Sequence, residues 1–274
     1  MKFYLSMDME GVTALPDVTY VDSTQANYER GRQLMTQDAN AILRGAFAHG
    51  ASACLVNDSH SKMNNLLAED LHEEAELITG GVKAYSMVEG LDDSYTGAFF
   101  AGYHARAGQK GVMAHSMVFA VRSMWIDKVE VGELGMNAYL AGYYGVPVLL
   151  VAGDDCACRE AEALIPNVTT AAVKQSLTRS AVRTLHPQKA QTLLTKQTAQ
   201  AIANRKNVSP LVPPKNPLLK IEFTNYGEAE LAAMMPGCEL LAETTIVQFQ
   251  AKDMREAYRA MIVMTELAMQ ATFC

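Results

Sequence analysis

Short apolar runs alternate with longer stretches of helical spacing along the first three quarters of the chain. Residues 2–7 (Lys-Phe-Tyr-Leu-Ser-Met) are rich in β-formers and predict a strand that ends where Asp8-Met9-Glu10-Gly11 turns polar. From 27 to 47 the spacing changes to threes and fours, with Leu34, Ile42, Leu43, Ala46 and Phe47 on one face, and Gly50 stands just past the last turn as a stop. Ala53-Cys54-Leu55-Val56 predicts a second strand, followed by Asn57-Asp58-Ser59-His60, and residues 97–103 a third, followed at once by His104. Residues 118–125 and 128–131 flank Ile126-Asp127 and predict a hairpin. A helix from Glu133 to Tyr144 follows, weakened by Gly135 and Gly142 inside it. Pro147 to Ala152 is the most hydrophobic strand, with Gly153-Asp154-Asp155 capping the helix behind it.

Strands that alternate with helices and read as continuous apolar runs predict an α/β fold, with a mostly parallel sheet flanked by helices. Pro210, Pro213, Pro214 and Pro217 crowd into 207–217, where proline forbids regular structure. The expected organisation is an α/β metal-binding domain over 1–206, this connector, and a smaller α+β C-terminal portion over 218–274. That portion holds strands near Leu219 to Phe223 and Thr245 to Phe249. Its last helix opens at Asp253, with Glu256 completing a capping-box-like pair. Met254, Ala257, Tyr258, Met261, Ile262 and Thr265 form that helix's inner stripe.

Composition narrows the function classes. Hydrophobic residues are 49% and charged residues 19% of the 274, which is a globular balance, and 23 Lys and Arg against 30 Asp and Glu leave a net charge of −7. A broad nucleic-acid or anionic-membrane surface is not expected from that balance. No apolar run approaches the ~20 residues of a membrane helix, and Asp8 and Glu10 fall where a signal peptide would need its apolar stretch. The five cysteines (Cys54, Cys156, Cys158, Cys238 and Cys274) are odd in number and sparse. With no bridge framework expected, a reducing cytoplasm is the natural setting.

In open α/β sheets, ligands collect beyond the carboxyl ends of the strands. Three predicted strands release ionisable groups at that edge: Asp8 and Glu10, then Asp58 and His60, then His104. Glu133 joins them if the hairpin folds over the same edge. Such oxygen and imidazole donors suit zinc, and also manganese or cobalt. Asp8, Glu10, His60, His104 and Glu133 are too many for one tetrahedral zinc with an open position, and they fit two metals sharing a carboxylate. His115, in a glycine-flanked loop, is a further ligand, a catalytic acid or a structural residue. Asp58 either orients a ligand imidazole or caps its own loop. His49 at a helix end, His72 in an acidic surface stretch and His186 before a proline are set aside. No P-loop, dinucleotide glycine pattern or G-x-S-x-G elbow is present, and Cys156-Ala157-Cys158 has the wrong spacing for a zinc knuckle and is expected to open a helix.

Ser6-Met7-Asp8-Met9-Glu10-Gly11 resembles the S-x-D-x-E-G element of the DppA-type zinc D-aminopeptidases. Val56-Asn57-Asp58-Ser59-His60-Ser61, Gly102-Tyr103-His104-Ala105, Ala114-His115-Ser116 and Val131-Gly132-Glu133-Leu134-Gly135 follow in family order. The similarity continues through Val151-Ala152-Gly153-Asp154-Asp155, Ile165-Pro166-Asn167-Val168-Thr169 and Val247-Gln248-Phe249-Gln250-Ala251 into the last helix. This resemblance implies two zinc ions per subunit held by Asp8, Glu10, His60, His104 and Glu133, with Asp8 bridging, and a catalytic His115. The family role of His115 is a nucleophile. The chemistry favours an oxyanion donor or proton shuttle, because a two-zinc activated water already supplies the nucleophile. The implied substrates are short peptides with a free amino end and D-residues, such as D-Ala di- and tripeptides, and the implied assembly is a homodecamer around an internal chamber. D-selectivity comes from the resemblance alone. The competing readings are a peptide-binding component of a dipeptide transport system and a two-metal phosphoesterase.

Overall fold

The computed structural model describes residues 1–272 and folds the apolar runs into two sheets; Cys274 lies outside the described residues. In chain order, β1 (Lys2–Met7), α1 (Tyr28–Ala48), β2 (Ala53–Asp58), β3 (Ala75–Ile78) and β4 (Gly97–Tyr103) come first. Next are β5 (Val121–Ile126), β6 (Val129–Glu130), α2 (Glu133–Tyr143), β7 (Val148–Asp154), α3 (Asp155–Leu164), β8 (Thr169–Thr178) and β9 (Ala181–Thr184). The chain ends with α4 (Pro187–Asn204), β10 (Leu218–Phe223), α5 (Tyr226–Ala233), β11 (Cys238–Leu240), β12 (Ile246–Gln250) and α6 (Met254–Ala268).

The larger sheet has the order β3-β2-β1-β4-β7-β8-β9, parallel throughout except for the last pair. Every residue of β4 and β7 is buried, because helices cover both faces and leave no solvent side to alternate towards. From β1 the chain steps outward through β2 to β3, then returns to β4 on the other flank. The order therefore reverses beside β1, and a crevice opens there beyond the strand ends.

The second sheet is antiparallel, in the order β11-β12-β10-β5-β6. Its boundary does not coincide with the proline-rich connector: β5 pairs with β10, aligning Leu219 with Ile126 and Ile221 with Met124 across about ninety residues of chain. The predicted hairpin is present, with Asp127 at its tip in the left-handed region (φ 53°). A buried chain of hydroxyl and amide groups ties the larger sheet to α2 and α6. Tyr258 Oη donates to Asn137 Oδ1 (2.6 Å), and Asn137 Nδ2 donates to Tyr103 Oη (2.7 Å), which lies 2.7 Å from Ser6 Oγ. Tyr258 belongs to the inner stripe of α6, where Met254, Ala257, Met261 and Thr265 are also buried and Ile262 sits half-buried at the margin. Asp253 caps this helix by accepting from Glu256 N, while the Glu256 carboxylate takes Lys252 N.

The four cysteines within the described residues are unpaired, and Cys156 and Cys158 lie on the first turn of α3. Among the described residues, no helix is long and apolar enough to cross a membrane.

Candidate metal centre

Two glycines bring the strand ends together. Asp8 N donates to Ala101 O (2.8 Å) and Gly11 N to Gly102 O (2.6 Å), so the loop after β1 lies directly on the end of β4. A Cβ on Gly102, whose φ is +72°, would be driven into the carbonyl of Asp8, and one on Gly11 into the carbonyl of Tyr103. Only bare backbone permits this approach. The result is that Asp8, Glu10 and His104 share one crevice. His60 enters it from the loop after β2. Glu133 enters from the first turn of α2, which starts directly after the β5–β6 hairpin and Gly132.

All five side chains converge, and their residues are only 2–8 % exposed. His60 Nδ1 lies 3.4 Å from Asp8 Oδ1 and 3.0 Å from Glu10 Oε2. His104 Nε2 lies 3.6 Å from Asp8 Oδ2 and 3.3 Å from Glu133 Oε2. The donors form two cages that share Asp8, Asp8-Glu10-His60 and Asp8-His104-Glu133, and a third grouping, Glu10-His104-His115, overlaps both; the ligand atoms of each lie within 4.8 Å of one another. Asp8 turns one oxygen into each of the two cages.

Backbone carbonyls fix the imidazole tautomers. His60 Nε2 donates to Val21 O (2.9 Å) and His104 Nδ1 to Ala105 O (2.9 Å), so the opposite nitrogen of each ring carries a lone pair into the crevice. In the neutral rings those lone pairs face carboxylate oxygens, acceptor against acceptor, so without a cation the carboxylates hold a proton on each ring and raise both imidazoles well above their ordinary range despite burial. Asp8 Oδ2, Glu10 Oε2 and His104 Nε2 have no hydrogen-bond partner although they are buried. Among the described residues no lysine or arginine pairs with these carboxylates. Burial, together with the Glu10 and Glu133 charges, pushes Asp8 up to about 8. Burial also opposes ionisation of Glu10, yet His60 and the other imidazoles hold it well below the usual carboxylate range. An arrangement of buried acceptors with a raised carboxylate is satisfied by cations, and this donor set fits two divalent ions.

His115 stands at the mouth. Its ring stacks on His104 with centroids 4.2 Å apart and planes 10° from parallel. Its Nδ1 donates to Met113 O (2.9 Å), leaving Nε2 directed at Glu133 Oε1 (3.6 Å) and Glu10 Oε1 (4.0 Å). Burial and the neighbouring His104 hold His115 below the ordinary imidazole range. Its loop is pinned by Met117 N to Glu133 Oε1 (2.6 Å) and Ala107 N to Ser116 Oγ (3.1 Å).

Asp58 is a loop cap. Its carboxylate accepts from Asn65 N (2.6 Å), Leu66 N (2.7 Å) and Asn65 Nδ2 (2.8 Å), and Asn65 in turn donates to His60 O (2.7 Å). It fixes the His60 loop without touching an imidazole. The histidines set aside stay clear of the crevice: His49 caps α1, His72 stacks on Phe47, and His186 caps α4. Asp154, Asp155 and Cys156 also cluster, but Asp154 is occupied by Cys156 N, Ala157 N, Val112 N and the Ser176 hydroxyl.

One supporting residue left no signal in the sequence. Lys174, buried on β8, donates to Glu10 O (2.6 Å), Val12 O (2.7 Å) and Leu15 O (2.7 Å), clamping the loop that carries two of the carboxylates. Burial pushes its ammonium down to about 7. A Lys174→Met variant takes the ammonium donor from the Glu10 and Leu15 carbonyls and leaves Val12 O only Leu15 N (3.4 Å), and it should lose about 2–4 kcal/mol of stability. Its metal affinity should fall by roughly 10–100-fold through the loosened loop. Thermal melts and metal titration read the two effects separately.

The model of the D-aminopeptidase family (peptidase family M55) matches residues 1–263, a span that holds all six site residues. The chain belongs to the D-aminopeptidase family. It is 63% identical over 274 residues, the whole of both chains, to a D-aminopeptidase of Bacillus subtilis (strain 168). It also superposes with a TM-score of 0.99, at 63% identity and full coverage of both chains, on the solved structure of a Zn-dependent D-aminopeptidase, DppA from Bacillus subtilis, a self-compartmentalizing protease.

Proposed function

We infer that this member of the D-aminopeptidase family is a zinc metallopeptidase that removes N-terminal D-residues from short peptides, such as D-Ala di- and tripeptides. The observation that carries the reading is the pair of cages sharing Asp8, each holding a buried carboxylate oxygen (Glu10 Oε2 in one, Asp8 Oδ2 in the other) that has no hydrogen-bond partner. Glu10 and His60 would hold one zinc, His104 and Glu133 the other, and Asp8 would bridge them. When bound, the two ions supply Lewis-acid polarisation of the scissile carbonyl and activation of water at neutral pH.

The chain's own groups supply orientation and proton handling. Glu10 Oε1, turned towards His115 instead of His60, is placed to take the substrate's free amino group and so confine cleavage to the first residue. His115 holds or releases a proton at Nε2, because its Nδ1–H is committed to Met113 O. The stack argues against His115 as a ligand sharing an ion with His104. Near-parallel rings 4.2 Å apart aim their lone pairs side by side instead of at one point, so the two histidines would not hold an ion between them. The relation to the self-compartmentalizing B. subtilis structure supports an oligomer, and we assign a homodecamer.

The test combines metal content with product release. Two zinc per chain and free D-alanine from D-Ala-D-Ala, abolished by chelation and restored by zinc, are expected. Full turnover in a metal-stripped preparation, or phosphate-ester hydrolysis without peptide hydrolysis, would overturn the reading. Light scattering should give ten times the single-chain mass, and a monomer would refute the assembly.

A further inference from the structure

Beyond His115 lie two exposed side chains, Phe119 and Arg179, that the chemistry above does not use. The Phe119 ring lies 5.1 Å from that of His115 and is 69% exposed. The Arg179 guanidinium sits 5.7 Å from the centre of the Phe119 ring. Arg179 occupies the turn between β8 and β9, with its side chain exposed to solvent. Two contacts fix it to the loop carrying His115: Arg179 Nη2 donates to Ala114 O (3.2 Å), and Met113 N donates to Arg179 O (2.9 Å). Among the described residues no carboxylate pairs with it, so most of its donors remain open beside the mouth of the crevice.

We propose that Arg179 binds the free C-terminal carboxylate of the short peptide whose amino end sits at the metal cages, with Phe119 as the apolar wall between them. The proposal rests on the peptidase reading and names the other end of its substrate. Guanidinium is the side chain best shaped for a terminal carboxylate, offering parallel donors to both oxygens. The length is also right. The steps of 5.1 and 5.7 Å from His115 through Phe119 to the guanidinium set an upper limit on that separation which three extended residues at ~3.3–3.6 Å each can span. A di- or tripeptide bridges that span, and a flexible arginine stem absorbs the difference between them. Longer chains would carry their carboxylate past the guanidinium, so a preference for short peptides follows from one residue's position.

The experiment compares kcat/KM for D-Ala-D-Ala and D-Ala-D-Ala-D-Ala with their C-terminal amides, in the zinc-loaded wild type and in R179Q and R179K. The wild type should prefer the free acids by roughly ten- to a hundredfold, the scale of one charged hydrogen-bonded contact. In R179Q that ratio should collapse towards one, chiefly through KM, while R179K should retain part of it. Zinc content and melting temperature identify any variant that fails to fold. A wild type with no acid-over-amide preference, or an R179Q enzyme that keeps the wild-type ratio, would overturn the proposal. A wild type that hydrolyses none of the four peptides would instead sink the peptidase reading, and this assignment with it.

Discussion

Replacing Asp8 with Ala should empty both metal cages at once, whereas Glu10→Ala and Glu133→Ala should each empty one. The difference follows from geometry: Asp8 Oδ1 faces His60 and Oδ2 faces His104, while Glu10 makes its close approach to His60 (3.0 Å) and Glu133 to His104 (3.3 Å). Metal analysis of the purified variants should therefore give about none, one and one ion per chain, against two in the wild type. D-Ala-D-Ala hydrolysis by the Asp8 variant should fall by at least about 10³-fold, since Lewis-acid stabilisation is worth several kcal/mol and each 1.36 kcal/mol is tenfold. An Asp8 variant that keeps one full metal would show that the cages are independent.

The same cluster predicts how the metal-stripped protein responds to pH. Asp8 has a folded-state pKa of about 8, above its ordinary 3.8, so folding takes up a proton and stability declines as Asp8 ionises. His60 and His104 lie well above their ordinary 6.5 despite burial, held there chiefly by Glu10 and Glu133 respectively, and their stabilisation is likewise lost as pH rises. Glu10 and Glu133 are held low and are already ionised in this window, while His115, held low, and Lys174, pushed down to about 7, work against the trend because the unfolded chain keeps their protons to higher pH, but over a smaller part of the window than Asp8, His60 and His104 together. Metal-free protein should thus melt lower at pH 8.5 than at pH 6.5. Zinc-loaded protein, whose cages prefer deprotonated ligands, should show a flatter profile or the opposite slope. Melting curves of both forms across this range check the sign.

How far this site was legible depends on where each contact's partner lies in the chain. The central strands are buried on both faces, so β1, β4 and β7 read directly as apolar runs, and the polar residue that ends each run falls at the sheet edge where ligands gather. Asp8, Glu10, His60 and His104 were visible for that reason. Glu133 was visible only with the hairpin before it. The partners of Lys174 are backbone carbonyls about 160 residues away, which leave no imprint on composition or spacing. On β8 it is simply one polar residue in a strand of mixed character. The second sheet shows the same limit. The proline cluster marks an irregular segment, but the pairing of β5 with β10 across it is a long-range choice made by packing. Asp58 shows it on a smaller scale: a carboxylate near a histidine reads equally as its partner or as a loop cap, and only the Asn65 and Leu66 amides decide between them. Arg179 was hidden because its significance lies in what it stands beside.

His115→Ala should retain both metals and lose turnover by about 10²–10⁴-fold, the range of a positioned proton-transfer group or oxyanion donor. The expectation rests on three features of the ring. It lies outside the two Asp8 cages, it is stacked in parallel on a ligand imidazole, and its Nδ1–H is tied to Met113 O so that Nε2 faces the crevice. Loss of a metal in this variant would make His115 a ligand and refute the assignment, because the stack would then have to open for the lone pairs of both rings to converge. The remaining roles separate kinetically. A proton carrier removed by the substitution should be partly replaced by free imidazole, and the variant's kcat should lose the limb of the pH profile that the ring's titration imposes. A nucleophile would instead give a covalent acyl intermediate in the wild type, seen as a burst of amine product in the first turnover. Glu133 helps choose between them: its Oε1 accepts Met117 N, so the loop holding His115 is fixed by the carboxylate that also faces His104. A ring anchored in this way stays at a set distance from the cages, which suits moving a proton to and from a reacting group more than approaching a carbonyl to form a bond. No burst, imidazole rescue and unchanged metal content form the set of results that this geometry requires.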